Sequence, residues 1–129
     1  MAMGSSIGKE IVDLLDDFMG RVSPDVVGAL IARRDGLLVV SRVGGGEINA
    51  KVISALSAVA RHTIDRLGVE LNLGDPIMEI AQYTKNTLLF VPLGKDLMLI
   101  TIARPDANLG LILLEIDELK DKLLKVLVE

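Results

Sequence analysis

The sequence contains no cysteine and a single histidine, His62, among its 129 residues. The lack of cysteine excludes disulfides, thiolate nucleophiles and cysteine-based zinc sites, and it fits the reducing interior of a cell. One histidine cannot supply a histidine pair for catalysis or a histidine-rich metal site. We therefore expect a cytoplasmic protein that holds no metal or other cofactor and is not an enzyme.

Aromatic residues and positive charge are also scarce. The aromatic residues are Phe18, Tyr83 and Phe90, and 14 basic residues stand against 18 acidic ones, for a net charge of -4. A nucleic-acid groove needs basic side chains and aromatic stacking platforms. The composition therefore argues against nucleic acid as a partner.

Long hydrophobic runs are missing, although half of the residues are hydrophobic and the mean hydropathy is +0.49. The longest apolar stretches, residues 88–93 and 97–102, are far shorter than a bilayer span. Residues 1–6 are small and polar, unlike a signal peptide, and we expect them to be flexible or left over from cloning. We expect no direct membrane insertion, and the apolar content suggests that another protein covers part of the surface.

A glycine run, Gly44 to Gly46, precedes the longest helical pattern, as in a loop that binds phosphate. The run lacks the Gly-Lys-Ser/Thr ending of a P-loop, and Glu47 would place a negative charge at the anion site. We interpret the run as a flexible connection, so the chain is not expected to be a GTPase itself.

No repeat, low-complexity tract or linker divides the chain, so residues 1–129 are expected to form one domain. The first periodic segment, residues 7–19, predicts an amphipathic helix. Two β-branched runs, residues 26–32 and 37–43, flank an Asp-Gly pair that suits the turn of a β-hairpin. Both runs are almost continuously apolar, which is typical of strands covered on both faces.

The longest helical pattern, residues 47–67, has two different faces. The broad apolar stripe is interpreted as facing the core; it consists of Val52, Ile53, Leu56, Val59, Ala60, Thr63, Ile64 and Leu67. The opposite face has small residues in its middle, and small side chains let another backbone approach closely. We predict that a second helix packs on this face, which consists of Ala50, Ser54, Ser57 and Ala58 with Arg61 and Asp65 beside them.

Three further strands are predicted as a meander over residues 76–83, 87–92 and 97–103. Pro76 has no amide hydrogen to donate, so its strand is expected at an exposed edge of the sheet. A last helix is predicted over residues 106–128. The order α-β-β-α-β-β-β-α predicts an α/β (α+β) domain with a five-stranded antiparallel sheet, the middle helix alone on one face and the terminal helices on the other.

This order, the hairpin of residues 28–39 and the late segment of residues 107–111 together resemble the roadblock/dynein light chain family, including its MglB-type prokaryotic branch. The likeness covers about residues 7–127. It implies a profilin-like fold with strand order 2-1-5-4-3.

The resemblance also implies a homodimer in which third strands pair across a two-fold axis and second helices lie side by side. The paired edge would be residues 76–83, and the expected interface residues on it are Ile77, Met78, Glu79, Ile80 and Ala81. On the helix, the expected interface is the small-residue face defined above. Members of the family commonly bind small Ras-like GTPases, so a non-enzymatic regulator or scaffold of such a GTPase is the expected function.

A second class of function stays open beside this one, because profilin-like sheets also occur in small-molecule sensors with a pocket between sheet and helix. The predicted interior offers few polar groups with which to orient a ligand. We interpret His62 as a half-buried, hydrogen-bonded side chain. We interpret Arg33 and Arg34 as part of a solvated turn.

Overall fold

A computed structural model describes residues 5–44 and 48–128. The predicted α-β-β-α-β-β-β-α order is confirmed. The elements are α1 (Ser5–Arg21), β1 (Val26–Arg33), β2 (Leu38–Val43), α2 (Ala50–Glu70), β3 (Glu79–Gln82), β4 (Thr87–Leu93), β5 (Leu97–Ala103) and α3 (Leu109–Val128). Most of the expected flexible N-terminal segment and of the glycine run, residues 1–4 and 45–47, lies outside the described residues.

The five strands form one antiparallel sheet in the order β2-β1-β5-β4-β3, which is the order that the resemblance implied. β1 and β5 lie in the middle and are buried almost throughout, which explains their continuous hydrophobicity. β2 and β3 are the two edges. The expectation that both hairpin strands are covered on both faces is therefore wrong for β2, whose residues are half-buried or exposed. The positions of the edges decide which strand is free to pair with another chain.

The two faces of the sheet are covered unequally. α1 and α3 pack on one face around a large apolar core that includes Leu15, Leu99 and Ile116. α2 alone covers the other face, where a smaller core forms around Leu30, Met98 and other side chains. The face under α2 therefore has less cover than the face under the two terminal helices.

Local chemistry sets the helix starts. The Asn49 side chain accepts hydrogen bonds from the backbone amides of Lys51 and Val52, at 3.1 and 3.2 Å, and so caps α2. The Asn108 side chain accepts from the Leu111 amide at 3.2 Å, which starts α3 later than residue 106, where the sequence pattern placed it. The predicted start of α2 at residue 47 lies outside the described residues.

The strand β3 is shorter than the predicted residues 76–83. Its ladder with β4 begins at the pair Glu79 and Phe90. Pro92 of β4 follows that pair and has no amide hydrogen to offer β3, so the ladder does not extend toward Pro76.

The chain that follows α2 folds back and packs against the end of the helix. The helix runs two residues beyond Gly68, where the sequence predicted a stop, and the Leu73 amide then donates back to the Gly68 carbonyl at 2.8 Å. Asn72 and Gly74 have positive φ angles of 56° and 86°, which turn the chain over the helix end. A Cβ on Gly68 would collide with the carbonyl oxygen of Gly74. Gly68 is therefore required for close approach.

We expect Gly68→Ala to lower the free energy of unfolding by about 1 to 3 kcal/mol, because the added methyl forces the returning backbone away. Gly20→Ala is the matched control, since a Cβ there meets nothing within 4 Å and removing a helical glycine is expected to raise stability slightly. Chemical denaturation of both variants measures the difference. Equal stabilities would contradict this assignment of Gly68.

Candidate assembly surface

The small-residue face of α2 lies against the protein's own sheet and β1–β2 turn. Ser54 is completely buried, and Ser57, Ala58 and Arg61 are nearly so. The approach is close, because a Cβ on Gly36 in the turn would lie 3.2 Å from the Ala55 Cα. The prediction that this face is free for a second helix is therefore wrong for these four residues, and Ala50 and Asp65 are half-buried beside them.

The apolar stripe predicted to face the core points outward instead. Leu56 and Val59 are 65% and 64% exposed, and Val52 and Leu67 are about half exposed. Ile53, at the side of the stripe, packs against the smaller core. The exposed residues recur every three or four positions, with Thr63 between, and so form one continuous ridge along the helix. We call Val52, Leu56, Val59, Thr63 and Leu67 the outer stripe of α2.

The edge strand β3 supplies a second unpartnered surface. Within residues 5–44 and 48–128 it pairs with β4 alone and is the last strand on its side of the sheet. Ile80 is exposed on this strand and Ile77 is exposed just before it, whereas Met78, Glu79 and Ala81 are half-buried. The structure thus places Glu79, Ile80 and Ala81 on the edge strand and leaves the other two predicted residues just before it. Their part in an interface stays a prediction.

A charged cluster joins α2 to both the hairpin turn and the sheet. The Arg34 guanidinium donates to the Asp65 carboxylate, 31 residues away. Arg61, only 8% exposed, donates to the Leu97 carbonyl at 3.2 Å, and its Nε lies 3.6 Å from Asp65 Oδ2. Arg34 is therefore an anchor for the helix, whereas Arg33 pairs with Asp35 in the exposed part of the turn.

The Glu79 carboxyl lies beside this cluster at the β3 edge. Burial raises the pKa of Glu79 above its ordinary value; Arg61 lowers the pKa and Asp65 raises it. The net effect is a raised pKa, so the folded protein disfavours the carboxylate form of Glu79. An inward-facing carboxylate on an edge strand also discourages indiscriminate strand pairing.

The structure places His62 in an exposed position, so its interpretation as a half-buried side chain is wrong. Among the described residues, no group of three histidine, cysteine or acidic side chains could hold a metal ion. None of the helices in residues 5–44 and 48–128 is long and apolar enough to cross a membrane.

A groove of about 410 Å³ opens between the start of α2 and the β3–β4 turn. Its lining is mainly apolar, with polar groups at the rim; it consists of Ile48, Asn49, Val52, Ile53, Tyr83, Lys85, Asn86, Leu88 and Ile102. We call this the α2 groove. It is open to solvent and has no buried polar cluster to orient a small ligand, which does not favour the sensor alternative.

The fold is similar to several solved structures. MglB from Myxococcus xanthus has a TM-score of 0.85 and 19% identity, over 92% of this chain and 94% of that chain. A Roadblock/LC7 domain from Streptomyces avermitilis has a TM-score of 0.81 and 20% identity, over 90% and 96%. An MglB with a tetrameric arrangement has a TM-score of 0.85 and 17% identity, over 95% and 90%.

At the level of sequence, no family model and no curated protein matches the chain. The structure nevertheless defines its class: a five-stranded antiparallel sheet between one helix and a pair of helices. The chain has the roadblock fold, of the kind found in MglB.

We expect Glu79→Gln to raise the thermal midpoint at about pH 7 and to have a smaller effect at about pH 4. The sign follows from the raised pKa: the folded state holds the Glu79 proton to higher pH than the unfolded state does, so ionisation costs stability as pH rises. The amide removes that cost. Thermal denaturation at both pH values checks this, and a gain that is equal at the two pH values would contradict the assigned cause.

Proposed function

We propose that this protein is a non-enzymatic homodimer in the cytoplasm that binds a small Ras-like GTPase and modulates its nucleotide cycle or its location. The observation that carries the proposal is the outer stripe of α2, exposed beside the free β3 edge in a roadblock fold. The GTPase partner comes from the resemblance to the roadblock family.

The homodimer would pair β3 with the β3 of a second copy and lay the two α2 helices side by side. A two-fold axis makes such an interface self-complementary, so the outer stripe meets its own copy. Burying a Val or Leu side chain completely is worth about 1.5 to 3 kcal/mol, and association costs roughly 4 to 15 kcal/mol. Since the stripe residues are already partly covered within the protomer, the stripe and the strand edge are both needed for a stable dimer.

The proposed mechanism is differential binding to the two nucleotide states of the GTPase. A regulator shifts the GTPase toward one conformation only by as much as its affinities for the two conformations differ. Arg61 is buried and bonded to Leu97, and Arg34 is tied to Asp65, so we assign neither of them as a catalytic arginine finger. The chain would act by holding the switch regions of the GTPase.

We expect Leu56→Asp to convert the dimer to a monomer at micromolar concentration, because a carboxylate would be buried in the middle of the helix pair. Leu37→Asp is the matched control: Leu37 is 58% exposed, close to the 65% of Leu56, and lies at the β1–β2 turn, away from the β3 edge. Light scattering after gel filtration measures the mass, and circular dichroism confirms folding. A Leu56→Asp protein that dimerises as strongly as the control would contradict the proposed interface.

For the GTPase, we expect binding to a Ras-like GTPase from the same genome, with affinities for the GDP and GTP-analogue forms that differ about tenfold or more. Titration calorimetry with each loaded form measures this, and an unrelated GTPase is the control. Equal affinities for the GDP and GTP-analogue forms would mean that the protein is a scaffold for the GTPase and does not regulate its nucleotide cycle. If no such GTPase binds, the proposed function is wrong.

A further inference from the structure

The segment that follows α2 presents apolar side chains that the protomer does not cover. Leu71, Leu73 and Ile77 are 61%, 71% and 77% exposed. The segment is nevertheless held in place, since the amides of Leu71 and Leu73 donate to carbonyls of the last helical turn at 2.9 and 2.8 Å. An ordered backbone with three large exposed apolar side chains is typical of a contact surface.

The α2 groove lies at the opposite end of β3 from this segment. Residues 71–77 lead into the start of β3, whereas the groove opens where β3 ends, at Tyr83 and the turn into β4. The segment therefore cannot fill the groove of its own protomer. The matching apolar surfaces are separated by the length of the strand.

A second copy removes that separation. Any two-fold axis perpendicular to the sheet that pairs β3 with its own copy makes the two strands antiparallel. The start of the partner's strand then lies beside the end of this one. The partner's Leu71 and Leu73 would come next to the α2 groove, and the arrangement would repeat on the other side of the axis. Ile77 lies beside Leu113 and Leu114 of α3, on the opposite face of the sheet, and does not enter the groove.

The charges at the two surfaces are complementary. Glu70 precedes the apolar segment and Asp75 lies within it, and both are exposed. Lys85 lies at the rim of the groove and is exposed. Within the described part of one protomer these three side chains form no ion pair with each other, and in the proposed pairing an acidic segment faces a basic rim.

We infer that, in the homodimer, the segment of residues 71–77 of each chain docks through Leu71 and Leu73 into the α2 groove of the other chain. This rests on the proposed homodimer and goes beyond it by naming the occupant of the groove. The docked segment adds two symmetric contacts outside the helix pair and the strand pair. The groove is thus filled by protein and is not a ligand site.

The absence of cysteine from the sequence makes crosslinking a clean test. Leu73→Cys and Thr84→Cys, the latter in the turn beside the groove, are made in separately tagged chains, co-expressed and treated with a short bis-maleimide. We expect a mixed Leu73→Cys/Thr84→Cys crosslink at several-fold the yield of the control pair Leu73→Cys with Leu37→Cys. Leu37 is exposed at the β1–β2 turn, away from the β3 edge.

Affinity supplies a second readout. Leu73→Ser is expected to weaken dimerisation about tenfold, whereas Leu37→Ser is expected to leave it unchanged. A dimer that is intact by light scattering but gives no mixed crosslink above the control overturns the docking of residues 71–77 and leaves the proposed homodimer standing. A chain that stays monomeric overturns both.

Discussion

The close seating of α2 on the β1–β2 turn is the constraint on which the rest of this structure depends. Gly36 sits so near the Ala55 backbone that the facing surface of the helix must consist of small residues. Ser54 and Ala58 meet that requirement, and both are buried there. Once the small face is turned inward, the apolar stripe on the far side of the helix has no place in the core of the protomer.

The charged cluster fixes the same rotation of the helix by a different means. Between α2 and the sheet, Arg61 donates a hydrogen bond to the Leu97 carbonyl on β5. Arg34 of the β1–β2 hairpin donates to the Asp65 carboxylate. Rotating the helix to bury the outer stripe would break the Arg61 hydrogen bond to Leu97 and the partly buried Arg34–Asp65 pair. A buried polar group that loses its partner costs stability. Packing and electrostatics therefore both favour an outward-facing stripe.

The sequence patterns predicted the order of the elements correctly, because periodicity and turn residues are local signals. The strand order was implied by the roadblock resemblance and is confirmed. The orientation of α2 could not be predicted from hydrophobicity, since a side chain buried in a protomer and one buried between protomers are equally apolar. The small face was recognised as a site of close approach, but the approaching backbone is Gly36 rather than a second helix. The contact between Arg34 and Asp65 joins residues 31 positions apart and has no local signal.

The mass of the unmodified chain in solution tests the central claim most directly. Light scattering across a range of concentrations is expected to give twice the 13.9 kDa mass of one chain, falling toward 13.9 kDa only on strong dilution. A particle of 13.9 kDa at every concentration, with Leu56 and Val59 left in water, would contradict the account.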